Sequence, residues 1–225
     1  MKLANNLYAY VWKVNDNNCN SFIFANVLSG GKHIIFDPGH IITPYLREPA
    51  YEMLTKEIAK DGLKVEDIGV VVLTHAHPDH VESAIKFKEK SLAQIAIHKE
   101  DSEILRMFGG GTADVYLQEG ELKLDKMVQT RLEVYHVPGH SPGHIAVYWP
   151  SLKALVVGDV IFFHSTGRVD LPGGSGGQLK RSIDNLSKLD VEYLLCGHPY
   201  GHPGVIQGKK AVRENFEFLN ENIFF

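Results

Sequence analysis

Cysteine is scarce: Cys19 and Cys196 are the two in 225 residues, and they lie far apart. Two free, mostly buried thiols in a reducing compartment are the default reading, with a single bridge between them the alternative that sequence leaves open. Long apolar runs are missing as well. No stretch approaches the roughly 20 apolar residues that span a bilayer. The opening MKLANNLYAYVWKV has no continuous apolar segment and no small-residue cleavage site, so it does not read as a secretory signal. These absences predict a cytoplasmic protein with no membrane partner. Charge of one sign is not in excess either: a net charge of -4 and a pI near 6.3 give no electrostatic reason to expect nucleic acid. Internal repeats and low-complexity tracts are also lacking. What remains is an ordinary composition, 44% apolar and 22% charged, in a chain long enough to bury a substantial core.

Short apolar, β-branched or aromatic runs recur and read as strands: Leu7–Val14, Ser21–Val27, His33–Phe36, Ile68–Leu73, Ala93–Ile97, Arg131–His136, Ile145–Trp149, Leu152–Val157 and Val191–Cys196. Between them, Pro49–Asp61, His80–Lys90, Lys99–Phe108, Gly177–Leu189 and Lys209–Asn220 fit a period of about 3.6 residues and read as helices. Strands come first and then alternate with helices, which makes the class α/β or α+β and not all-β. A long connection, Phe163–Gly177, holds five glycines, and a connection of that length inside a domain is often functional.

Histidine is present in surplus, with 12 residues. The stretch VVLTHAHPDHVES, residues 70–82, places His75, His77, Asp79 and His80 just after an apolar strand. Residues two apart share a face in extended chain, so His75 and His77 can point together. Pro78 fits a first helical turn, which sends Asp79 and His80 in a second direction. The alternative is a solvated, histidine-rich turn. Partners elsewhere decide against it: His140, Asp159 and His198 each follow an apolar strand. That makes seven candidate ligands, five histidines and two aspartates, enough for two metals. Imidazole and carboxylate suit zinc, iron or manganese.

THAHPDH, followed in order by His140, Asp159 and His198, resembles the metallo-β-lactamase superfamily, and within it the short form of the glyoxalase II-like (hydroxyacylglutathione hydrolase-like) branch. The resemblance spans roughly residues 20–200. It implies a four-layer αββα sandwich with the site at the sandwich edge. By the same resemblance, His75, His77 and His140 hold one metal, Asp79, His80 and His198 hold a second, and Asp159 bridges them. Asp37, in IIFDPG, matches an aspartate that supports the ligands from behind, although a turn aspartate before Pro-Gly explains it equally. Arg168, in GRVDLPGG, matches a basic residue that contacts the carboxylate of a thiol substrate; a surface cation is the plainer reading. The expected organisation is one domain over residues 1–225, with about one helix (209–220) where full-length glyoxalase II carries a glutathione-gripping domain. That leaves glutathione as an open question.

The expected reaction is hydrolysis of a small thioester, or second a lactone, by a hydroxide shared between two divalent metals, zinc first with iron or manganese open. Asp79 and Asp159 are the expected catalytic carboxylates, binding metal and orienting the hydroxide. The expected partner is a small-molecule substrate, and a homodimer is left open. Two rivals stand beside this. One is a persulfide dioxygenase with a single iron on His75, His77 and either Asp159 or His140. The other is a metal-binding protein without turnover.

Overall fold

The computed structural model describes residues 1–124 and 128–223. Seven strands form a first sheet in sequence order: β1 (Lys2–Ala4), β2 (Leu7–Tyr10), β3 (Ser21–Phe24), β4 (His33–Phe36), β5 (Ile68–Val72), β6 (Gln94–His98) and β7 (Val115–Leu117). Pairing is antiparallel from β1 to β4 and parallel from β4 to β7. A second sheet contains β8 (Gly120–Glu121), β9 (Glu133–His136), β10 (Ile145–Trp149), β11 (Ala154–Gly158), β14 (Tyr193–Cys196) and β15 (Val205–Gln207). Its spatial order is β15-β14-β11-β10-β9-β8, and a separate hairpin joins β12 (Ile161–Phe162) to β13 (Ser165–Thr166).

Period-two alternation sorts the side chains into layers. On β2, β3 and β4, Leu7, Ala9, Phe22, Phe24, Ile34 and Phe36 face the second sheet, meeting Val147, Trp149 and Val156 from β10 and β11. Phe24 touches Phe36 and Trp149 with ring centroids 4.7 and 4.9 Å away, so aromatic packing joins the two sheets. The opposite face of the first sheet, with Tyr8, Ile23, Ile35 and Val71, is covered by Leu54 and Ile58 of α1 (Ala50–Lys60). Beyond the short α2 (Pro78–Val81), Phe87 of α3 (Ala84–Ser91) and Leu105 of α4 (Ser102–Met107) complete that cover. The outer face of the second sheet packs on Leu179, Ile183 and Leu186 of α5 (Gly176–Leu186) and on Val212, Phe216 and Leu219 of α6 (Lys209–Asn222). The result is the expected αββα sandwich.

Strand direction fixes where a site can form. β9, β11 and β14 run the same way, because β10 is antiparallel to β9 and β11 while β11 is parallel to β14. β4 and β5 also run together. The loops leaving these strands are stitched to one another: Ile145 N–H donates to Thr74 O (2.8 Å), Asn20 N–H to Gly197 O (2.7 Å) and Gly197 N–H to Gly158 O (2.8 Å).

Departures from the sequence expectation have local causes. The helix expected over His80–Lys90 is broken at Glu82–Ser83. His80 O accepts from Gly39 N–H (3.2 Å) and Ser83 N–H donates to Gly39 O (2.9 Å), so the 37–40 turn takes the groups that would continue it. The strand expected to reach Val14 stops at Tyr10, and Trp12 N–H donates to the Asn20 side chain (2.9 Å). In the long connection, the β12–β13 hairpin turns at His164, with φ of 52°. β1, β7, β8, β12, β13 and β15 have two or three residues each, too few to show a period. Both cysteines are free and buried. Among the described residues no helix is long and apolar enough to cross a membrane.

Candidate metal centre

All seven residues singled out by spacing converge at the strand-end edge. His77 sits just before α2 with an extended backbone (φ -71°, ψ 148°), Pro78 opens the helix, and Asp79 and His80 turn away from His75 and His77. Ligand atoms of His75, His77 and His140 lie within 4.8 Å of one another, and so do those of Asp79, His80 and His198. Between these groups lies Asp159, immediately after β11. Its Oδ1 is 3.3 Å from His80 Nε2, and its Oδ2 is 3.3 Å from His198 Nε2 and 3.6 Å from His140 Nε2. Asp79 Oδ2 is 3.4 Å from His198 Nε2 and accepts from Asn17 Nδ2 (3.0 Å).

The outer nitrogens of four imidazoles are held by acceptors from behind. His75 Nδ1 donates to Thr74 Oγ1 (3.0 Å), His80 Nδ1 to Asp37 Oδ2 (3.0 Å), His140 Nδ1 to Arg168 O (2.8 Å) and His198 Nδ1 to Asn18 O (3.1 Å). Each arrangement turns a bare Nε2 lone pair inward, the geometry that orients histidine toward a cation. The inward atoms lack proper partners. His75 Nε2 and Asp159 Oδ1 are buried with no hydrogen bond. His140 Nε2 faces His77 Nδ1 at 2.9 Å, and His80 Nε2 faces His198 Nε2 at 3.2 Å. Buried polar atoms cost free energy when unpaired. Divalent cations among them resolve every one of these contacts, so the residues fit the metals that their pattern implies.

The electrostatics divide the site in two. Burial, reinforced by neighbouring imidazoles, pushes His75 down and lowers His77 to about 4. For His198, burial opposes the charged form, but Asp159 and then Asp79 outweigh it and raise the imidazole from its ordinary 6.5 to about 9. His80 is likewise raised against its burial by Asp159 and Asp37, and Asp159 is lowered against its own burial by His198 and His80. Without metal, protons therefore stand where one cation would. A folded-state pKa above the unfolded value stabilises fully below the lower value and not above the higher one. Metal-stripped protein is expected to lose stability as pH rises from 6.5 to about 9, read by urea unfolding in chelator. Stability that is flat or rising across that window contradicts this charge arrangement.

Asp37 takes a left-handed backbone (φ 46°), which turns its carboxylate back under the site. Its Oδ1 accepts from Thr74 N–H (2.8 Å) and its Oδ2 from Thr74 Oγ1 (2.7 Å) as well as from His80. The turn and the support from behind are thus one device. Arg168 lines the cleft over the centre. Its guanidinium is exposed and forked onto Asp170, with Nε–Oδ1 and Nη2–Oδ2 both 2.7 Å, while its carbonyl is the atom that reaches His140.

Sequence reasoning missed three supports. Asp101 is fully buried between the two histidine loops: its Oδ2 accepts from Ala76 N–H (3.0 Å) and Ser141 Oγ (2.7 Å), and its Oδ1 from Gly143 N–H (2.6 Å). His144 stacks on His75 at 4.7 Å, donates from Nδ1 to Ile145 O (3.1 Å) and accepts Asp159 N–H at Nε2 (3.1 Å). It thereby fixes the start of the Asp159 loop. Gly167 and Gly197 leave no room for a side chain, since a methyl would collide with Asp159 O at one and Asp159 Oδ1 at the other. Of these, only His144 left a trace, four residues after His140. At the surface, His98 and His136 stack 4.3 Å apart with Glu100 beside them, and His136 Nε2 donates to Pro142 O (2.8 Å), bracing the His140 loop.

A cleft of about 790 Å³ opens over the centre, lined by Asp79, His77, His140, Asp159 and His198 at its base. Tyr200 stacks on His198 at 4.8 Å, and burial pushes its phenol up to about 12.

Imidazoles turned lone-pair-inward around two carboxylates form a nest for divalent cations, and the class is a metalloprotein built on an αββα sandwich. The chain belongs to the metallo-beta-lactamase superfamily, whose family profile matches residues 14–198. It is 36% identical over 149 residues to the hydroxyacylglutathione hydrolase GloC of Haemophilus influenzae, a match covering 59% of this chain and 69% of that one. Over 189 residues it is 28% identical to a probable metallo-hydrolase of Methanocaldococcus jannaschii, covering 76% and 85%. Relatives of these names set it on the glyoxalase II-like branch. Among solved structures, the BLEG-1 B3 metallo-beta-lactamase superposes with a TM-score of 0.73 at 25% identity, covering 97% and 98% of the two chains. TTHA1623 in a di-iron-bound form gives 0.62 at 28% identity, covering 84% and 91%.

Proposed function

We propose that this protein is a binuclear metal-dependent hydrolase of small thioesters, with lactones as the second substrate class. The observation that carries the reading is the paired ligand set: His75, His77 and His140 on one side, Asp79, His80 and His198 on the other, and Asp159 within 3.6 Å of imidazoles from both. The names of GloC and of the Methanocaldococcus relative support hydrolysis. Divalent cations, with zinc the first choice, supply a Lewis acid for the carbonyl oxygen and bring the pKa of water from near 16 to roughly 7.

The chain's own residues do the rest. Asp159 holds the two halves of the site in register. Asp79, steadied by Asn17, orients the attacking water. Asp37 fixes His80, and the carbonyl of Arg168 fixes His140. No side-chain nucleophile is needed: burial pushes the thiols of both Cys19 and Cys196 up, so neither offers a thiolate near neutrality. Those free thiols also favour a cytoplasmic location.

The single-iron persulfide dioxygenase is less favoured by the geometry. An iron on His75, His77 and Asp159 leaves Asp79, His80 and His198 as a second complete group with no task. The direct test is thiol release from simple S-acyl thioesters by metal-loaded protein, expected to vanish with chelator and return with added metal. Thiol release that chelator does not touch, or no metal-dependent hydrolysis of any thioester or lactone, refutes the hydrolase reading.

A further inference from the structure

We propose that the cleft selects its substrate by an apolar acyl chain and not by the anionic groups of glutathione, a proposal that rests on the hydrolase reading above. One wall is α4 and the residue after it, presenting Ile104, Met107 and Phe108 to the cleft. Met107 is 79% exposed and Phe108 40%, and neither belongs to the three hydrophobic cores of the sandwich. Large apolar side chains left in water beside an active centre are the mark of a surface that something apolar covers. The facing wall is also apolar. Phe162 and Tyr200 meet edge to face at 5.1 Å, Leu171 lines the same cleft, and the stack of Tyr200 on His198 carries this wall down to the metal ligands.

The charge inventory points the same way. A glutathione thioester carries two carboxylates that need cationic or strong N–H partners. Among the described residues lining the cleft, Arg168 is the one lysine or arginine, and its guanidinium is already forked onto Asp170 through two bonds of 2.7 Å. An alkyl chain needs no such partner, and each methylene that leaves water against these walls strengthens binding by about two- to fourfold.

Binding can be tested without turnover by calorimetric titration of metal-loaded protein with straight-chain hydroxamates, acetyl through octanoyl, whose head groups anchor on the metals. The expected result is a dissociation constant that falls by about two- to fourfold per methylene until the cleft is filled. The double variant Met107→Ser, Phe108→Ser is expected to flatten that slope, and S-methylglutathione is expected not to displace the octanoyl compound. A flat series, no binding, an unchanged slope in the double variant, or displacement by S-methylglutathione overturns the proposal. The two readings fail separately. Thioester hydrolysis with a flat series removes the acyl selectivity alone, and a steep series without hydrolysis removes the reaction alone.

Discussion

Asp159→Asn is expected to lower kcat/KM for thioester hydrolysis by roughly a thousandfold or more, with the fold intact. The substitution keeps the shape of the side chain and removes its charge. Asp159 is the carboxylate that reaches His80, His198 and His140 within 3.6 Å, so no neighbour replaces it. Its backbone stays in place because His144 Nε2 still accepts its N–H, and Gly167 and Gly197 still clear its path. Metal content per chain should fall with the rate, since the amide offers one neutral oxygen where two charged ones served both lobes. Circular dichroism, metal analysis and thiol release on the same sample check this. A variant with full activity and full metal content means that Asp159 does not link the lobes.

Asp101→Ala is expected to act on stability more than on chemistry. Three donors, Ala76 N–H, Ser141 Oγ–H and Gly143 N–H, end on its carboxylate in a fully buried position. Truncation strands two buried amides and a hydroxyl at once, and each stranded group costs about 1–3 kcal/mol. A total near 3–5 kcal/mol allows for relaxation and entry of water, and it corresponds to a Tm lower by roughly 10 °C in a chain of this size. The loops it joins carry His75 and His77 on one side and His140 on the other. Metal affinity should therefore fall about 10- to 100-fold as well. Thermal unfolding of the stripped and loaded forms separates the two effects. A stripped form of unchanged Tm shows that Asp101 is no hub.

These two residues mark the boundary of what the sequence discloses. Asp159 is legible because it follows an apolar strand directly and matches the order of the other ligands. His75, His77, Asp79 and His80 are legible because their spacing combines an extended step with a proline-started turn. The α/β or α+β class is legible in the short apolar runs that form β2 to β5 and in the period of the three longer helices, whereas the αββα sandwich is what the family resemblance implies. Asp101 is different. It sits in a short turn whose local pattern, HKED, reads as solvent-facing, and its role exists only once β5, β6 and β9 bring residues 76, 101, 141 and 143 together. Arg168 adds a contact that its sequence does not disclose: beside a guanidinium that lines the cleft and pairs with Asp170, its backbone carbonyl serves His140. Contacts made across the sandwich edge, and pairings settled by loop conformation, leave no period or spacing to read.

The central claim is that two ligand groups joined by Asp159 hold two metals that work as one site. Metal analysis of protein purified without added metal, followed by titration of the stripped form with zinc while thiol release is recorded, tests it most directly. The account predicts two divalent cations per chain and activity that rises as both places fill. One iron per chain and no zinc, with oxygen consumed in the presence of a persulfide, would contradict it.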